Sequence, residues 1–184
     1  MIRMKKLFLF LILTIMSFLL NGCHSSSSDQ IPAQIVVENT NDHSTYTGHL
    51  DHGVWKWDDD APPVYVLIDQ LSKDGISYTI YNQDPDHEAW CGKAFYLQEK
   101  DEQGHWRSMI EFLFGIGEEE NFSWEEEGYP IRPDEPMSFK YDFSVPSDWD
   151  FHGEYRFVTN VSLEKMIRDV SFEKYQIEII LTVQ

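Results

Sequence analysis

The stretch Met137 to Phe143, MSFKYDF, sets Phe139, Tyr141 and Phe143 on one face of an extended chain and Ser138, Lys140 and Asp142 on the other. Strict alternation is the mark of a half-buried strand, because successive side chains leave a strand on opposite sides. The pattern recurs. Ile76, Tyr78 and Ile80 alternate with Ser77 and Thr79; Phe95 and Leu97 share a face. Tyr155, Phe157, Thr159 and Val161 share another, and Ile177, Ile179, Leu181 and Val183 close the chain. Turn chemistry separates these runs about every ten residues. Ser72-Lys73-Asp74-Gly75 and Asp101-Glu102-Gln103-Gly104 are two such turns. Many short strands with regular turns predict an all-β sandwich or barrel.

Val64 to Gln70 is dense in β-formers and predicts a strand buried on both faces. Gln34 to Glu38 and Thr45 to His52 are earlier strand candidates, and residues 34–63 read as edge strands and a loop ahead of the main body, 64–184. Glu111 to Trp124 reads as a loop with a short strand near Asn121 to Glu125. Pro130 to Pro136 holds three prolines and reads as irregular. Leu163, Met166, Ile167 and Val170 recur at helical spacing, which predicts one short helix before the last strand.

The N-terminus is organised differently. Arg3, Lys5 and Lys6 precede a nearly unbroken apolar run, Leu7 to Leu20. A charged start, a short apolar run and a small residue before a cut make an export signal. The run is short for a bilayer span, which needs about 20 residues. Leu20-Asn21-Gly22-Cys23 resembles the lipobox of bacterial lipoproteins. That resemblance implies a signal peptide over 1–22, a diacylglycerol (with palmitate-like chains) on Cys23, and tethering to the outer face of a membrane. Two or more acyl chains hold stably where one holds marginally. Residues 23–33 then read as the lipidated cysteine and a polar linker.

Removing the signal leaves 11 Lys+Arg against 32 Asp+Glu, a net charge of −21. Nucleic acid is excluded as a partner, since phosphates would be repelled. An anionic lipid surface is disfavoured for the same reason. Aromatics make up 15% of the chain, enough to fill a core, which separates this composition from acidic disorder. With Cys23 lipidated, Cys91 stands alone and reads as a buried small apolar residue.

Tyr78 to Gln83, Leu97 to Trp106, Ile131 to Phe143 and Gly153-Glu154-Tyr155-Arg156 follow one another in an order and spacing that resembles bacterial immunoglobulin-like (Ig-like) domains of exported proteins and lipoproteins. The resemblance covers about Val64 to Gln184. It implies an Ig-like antiparallel β-sandwich and no activity. The acidic insert Glu118 to Gly128 departs from the family's compact pattern. Trp106, ending a hairpin, is expected on the inward side.

Candidate chemistry is sparse. The runs Asp58–Asp60, Glu118–Glu120 and Glu125–Glu127 offer oxygen ligands, but none has calcium-loop spacing. Adjacent carboxylates on a strand diverge, so solvated charge is the plainer reading. His49, His52 and His87 with their neighbours lack the three or four converging ligands of a zinc site. No nucleophile-elbow, zincin or phosphate-loop motif occurs. The expectation is a non-catalytic envelope module without cofactor. It would be anchored through Cys23 and bind an unknown envelope protein or wall component. Its contact residues would be Glu118, Glu119, Glu120, Glu125, Glu126 and Glu127. A protease-inhibitor-like Ig domain and an envelope glycan hydrolase are the alternatives from other classes.

Overall fold

The structure is a computed structural model, and it describes residues 31–51, 54–116, 127–167 and 169–184. The fold is an all-β, Ig-like antiparallel sandwich. Among the described residues eleven strands run β1 (Ile31–Asn39), β2 (Thr45–Asp51), β3 (Val54–Trp57), β4 (Val64–Ser72), β5 (Gly75–Asn82), β6 (Ala89–Lys100), β7 (Trp106–Ser108), β8 (Tyr129–Ile131), β9 (Met137–Asp142), β10 (Gly153–Ile167) and β11 (Asp169–Val183). A single helical turn, α1 (Ile110–Leu113), follows β7.

The larger sheet has the order β3-β2-β1-β11-β10-β6-β7, with β8 pairing the other end of β6; β4-β5-β9 form the smaller sheet. Every pairing is antiparallel. The segment 34–63 supplies three strands of the larger sheet. β3 is its edge, while β1 lies inside it between β2 and β11. β1 already begins at Ile31, within the stretch read as linker.

The predicted alternation decides which faces meet. Phe95, Leu97, Tyr155, Phe157, Ile177, Ile179 and Leu181 of the larger sheet are fully buried, as are Val64, Val66, Tyr78 and Ile80 of the smaller one. Aromatic rings fill the middle. Tyr78 lies 4.9 Å from Phe157, and Phe95 lies 5.0 Å from Tyr141, between ring centroids. Each such buried side chain contributes roughly 1.5–3 kcal/mol of transfer free energy. Asn82 ties the end of β5 to two loops. Its Nδ2 donates to the carbonyls of His87 (2.8 Å) and Ile131 (2.9 Å), and its Oδ1 accepts from the Asp84 amide. Gly75 is needed for close approach: a Cβ there would stand 2.3 Å from the Tyr141 carbonyl oxygen on β9.

Several expectations are corrected. Among the described residues no helix lies between β10 and β11, where one is expected. Leu163 sits in β10, paired with Ala89 and Glu173, and β10 and β11 run as two fifteen-residue strands of one hairpin. The helical spacing there competes with a continuous period of two from Tyr155 to Leu163, and fixed cross-strand register wins. β4 buries one face only. Val64 and Val66 point in, Tyr65 and Leu67 are half-exposed, and a register shift between Ile68 and Gln70 returns Leu71 to the core. Trp106 is half-exposed instead of buried, because it pairs with Lys100, an outward position of β6. Within Glu111–Trp124, the chain through Leu113 is the end of α1; the strand expected at 121–125 lies outside the described residues. Within Pro130–Pro136, the first two residues belong to β8, where Pro130 is tolerated at an edge.

Candidate functional site

Residues of even number on β6 and β10 face outward, and the pairing brings them together in rows. Val158 stands between Tyr96 and Glu178; Arg156 stands between Gln98 and Ile180. Asn160 and Gln176 are paired one row further. Between these side chains runs an open groove of about 320 Å³. Tyr96, 50% exposed, forms part of its wall.

Arg156 organises the groove. Its Nε donates to Gln98 Oε1 at 2.8 Å, and its Nη1 lies 3.6 Å from Glu178 Oε2. Its guanidinium carbon lies 4.8 Å from the centroid of the Trp106 ring. Lys100 Nζ lies 5.4 Å from the same ring and 2.7 Å from Glu154 Oε1. A planar guanidinium suits simultaneous stacking and hydrogen bonding, which an ammonium could not reproduce. The groove thus presents one aromatic wall, three amide side chains and an internally neutralised ion pair. Amides offer both donors and acceptors to a ligand.

The sequence-derived candidates fall elsewhere. Cys23 and Glu118, Glu119, Glu120, Glu125 and Glu126 lie outside the described residues. Glu127 is described and is exposed. Its carboxylate accepts the Tyr129 hydroxyl and Lys93 Nζ, and these two donors, in that order, hold its pKa below the usual glutamate value. It is therefore tied back to the sheet at β8. Cys91 is buried, and burial pushes its thiol up to about 12. Histidine–carboxylate contacts occur as pairs: His49 Nδ1 with Asp58 at 2.8 Å, and His87 Nδ1 with Asp84 at 2.9 Å. The Thr47 hydroxyl also donates to Asp58 and is the main reason its pKa is lowered. Among the described residues no three His, Cys, Asp or Glu side chains converge on a point where a metal could sit. Nor is any described helix long and apolar enough to cross a membrane.

Sequence reasoning missed the groove. Alternation marks Tyr96, Gln98, Arg156 and Glu178 as outward, but which outward residues become neighbours depends on strand order, and β6 and β11 are nearly eighty residues apart. No protein-family model matches the chain, and no curated protein matches it either.

Proposed function

We propose that the protein is a lipid-anchored, outward-facing Ig-like binding module of a bacterial cell envelope, with no catalytic step of its own. The observation that carries the binding role is the outer face of β6, β10 and β11. There Arg156, backed by the Trp106 ring, holds Gln98 and Glu178 in the wall of an open groove, while the opposite face of the same strands is sealed in the core. A hydrolase would want two carboxylates facing across a cleft. This groove offers a single carboxylate, Glu178, already engaged by Arg156. The anchoring role is supported by the Leu20–Cys23 pattern, eight positions ahead of the first residue of β1, Ile31.

Two measurements test this. Radiolabelled palmitate should enter the wild-type chain and not Cys23→Ala; label retained in that variant removes the anchor. Mature protein coupled to beads should retain an envelope component that Tyr96→Ala/Arg156→Ala loses, while both melt as folded proteins. Identical retention by the two would remove the groove. Replacing the six glutamates of 118–127 with glutamine in the same assay assigns binding to the acidic segment if that variant alone loses the component.

A further inference from the structure

Phe112, Trp149 and Phe151 form a row of rings at one end of the sandwich. Phe112 and Trp149 meet edge to face at 5.2 Å, Trp149 and Phe151 meet tilted at 4.9 Å, and Phe151 rests on the buried Tyr155 at 4.8 Å. Phe112 is 40% exposed and the other two are half-buried. Their anchor point is structural. Tyr155 is locked in the core, and the 143–152 crossover is held to α1 by the Ser144 amide donating to the Leu113 carbonyl at 2.7 Å.

The register shows which end this is. Gly153, two residues after Phe151, pairs with Val183, and Thr182 beside it pairs with Ile31. The rings therefore lie at the end of the sandwich where β1 begins, the end nearest in sequence to Cys23. Eight residue-to-residue steps separate Cys23 from Ile31, and fully extended they reach no more than about 28 Å. Strands of nine to fifteen residues carry the opposite end well away from that point.

We infer that Phe112, Trp149 and Phe151 are a membrane-contacting edge, seated in the head-group region of a lipid interface of low surface charge and fixing how the tethered sandwich stands. This rests on the lipid anchoring proposed above. Trp149, with an apolar ring and a polar N–H, suits the boundary between water and acyl chains, and the two phenylalanines beside it add apolar contact. Charge fits a neutral surface. Among the acids at this end, Asp150 lies 3.0 Å from His152, Glu154 lies 2.7 Å from Lys100, and Asp101 lies 2.9 Å from Arg107. Asp148 and Glu111 flank the rings and oppose an anionic one. So placed, the strands rise from the membrane, and the groove on β6, β10 and β11 faces sideways, open to a partner beside the protein.

The test does not need the natural lipid. The mature chain, residues 23–184, is coupled through Cys23 to a maleimide-bearing dipalmitoyl lipid; Cys91, buried, does not compete. It is incorporated into phosphatidylcholine vesicles containing phosphatidylcholine brominated close to the glycerol. Bromine quenches nearby tryptophan emission. The wild type should be quenched, Trp149→Phe at least twofold less, and Phe112→Ser/Phe151→Ser less as well while its near-ultraviolet spectrum stays native. Quenching that is absent in the wild type, or equal in Trp149→Phe, overturns the inference. A chain that takes up no palmitate in cells would instead sink the anchoring and leave the vesicle result as it stands.

Discussion

Tyr78 offers the sharpest energetic prediction, because its hydroxyl is fully buried and meets no group in good hydrogen-bonding geometry, the Tyr141 phenol beside it being turned to Lys93. Burial first, and then the neighbouring Tyr141 phenol, raises its pKa far beyond the ordinary tyrosine range. Tyr141 donates its own proton to the Lys93 carbonyl at 3.0 Å. A buried hydroxyl without a partner costs about 1–3 kcal/mol. Tyr78→Phe removes that cost and leaves a void of roughly one oxygen atom. At about 24 cal/mol per Å³ such a void costs only a few tenths of a kcal/mol. The ring keeps its contacts with Phe139, Phe157 and Phe95. Net stabilisation of about 1–2 kcal/mol follows, which in a chain of this size raises Tm by roughly 2–8 °C. Tyr155→Phe is the control with the opposite sign. The Tyr155 hydroxyl donates towards Glu99 and the His152 carbonyl, each at 3.3 Å, and its removal should cost about 0.5–1.5 kcal/mol. Urea unfolding of residues 23–184 at constant m-value reads both. A Tyr78→Phe midpoint at or below that of the wild type would refute the reasoning.

Three other outcomes are expected. Cys91, with its thiol pushed up to about 12 by burial, should react with a maleimide or a disulfide reagent only as fast as the domain opens; fast labelling at pH 8 under native conditions would contradict its place in the core. Gly75→Ala puts a methyl 2.3 Å from the Tyr141 carbonyl and forces β5 and β9 apart, so thermal melts should show a loss of about 2–4 kcal/mol, or roughly 5–15 °C; an unchanged melt would mean the approach is not that close. Asp58 is held below its ordinary pKa chiefly by the Thr47 hydroxyl, and Asp101 chiefly by the His105 amide, so the unfolded chain binds more protons than the folded one as pH falls. Their contribution is fully present above about pH 4 and is lost as pH drops through the lowered folded values, so stability measured by denaturant should fall steeply on that acid limb. Asp101→Asn should flatten it.

The elements legible in the sequence were those whose information is local. Met137–Phe143, Glu154–Val161 and Ile177–Val183 declare a strand and a buried face by alternation alone, and Phe139, Phe157 and Ile179 lie where that alternation puts them. Cys91 is buried because an isolated thiol among β-formers has no better place. What failed was non-local. Leu163 to Val170 carries a helical spacing whose alternative, a hairpin of fifteen-residue strands, is visible only when β10 and β11 are laid side by side. Trp106 looked inward by its bulk, yet parity with Lys100 sends it outward, where Arg156, some fifty residues on, covers its ring. Motif search could not supply that neighbour, because each member of the groove is an ordinary solvent-facing residue on its own strand.

The charge of the chain and its layout then make one physical picture. A chain of formal net charge −18 is kept off anionic surfaces by its own field, so the tethering and recognition proposed above would draw on parts of the molecule where that field is locally cancelled. Two such places are visible. In the groove, Glu178 faces Arg156; at the strand ends nearest Ile31, Asp101, Asp150 and Glu154 each face a cationic or protonatable partner. Each also carries an exposed ring, Tyr96 in one and Phe112 in the other; a third, Phe172, lies on β11 towards the far tip of the β10–β11 hairpin. Neutralised charge beside exposed aromatic surface lowers the desolvation cost of contact exactly where the rest of the surface raises it by repulsion. Raising ionic strength should therefore leave binding at the groove nearly unchanged, since salt screens long-range charge and not stacking or amide hydrogen bonds. A partner lost in proportion to salt would place recognition on the acidic exterior instead.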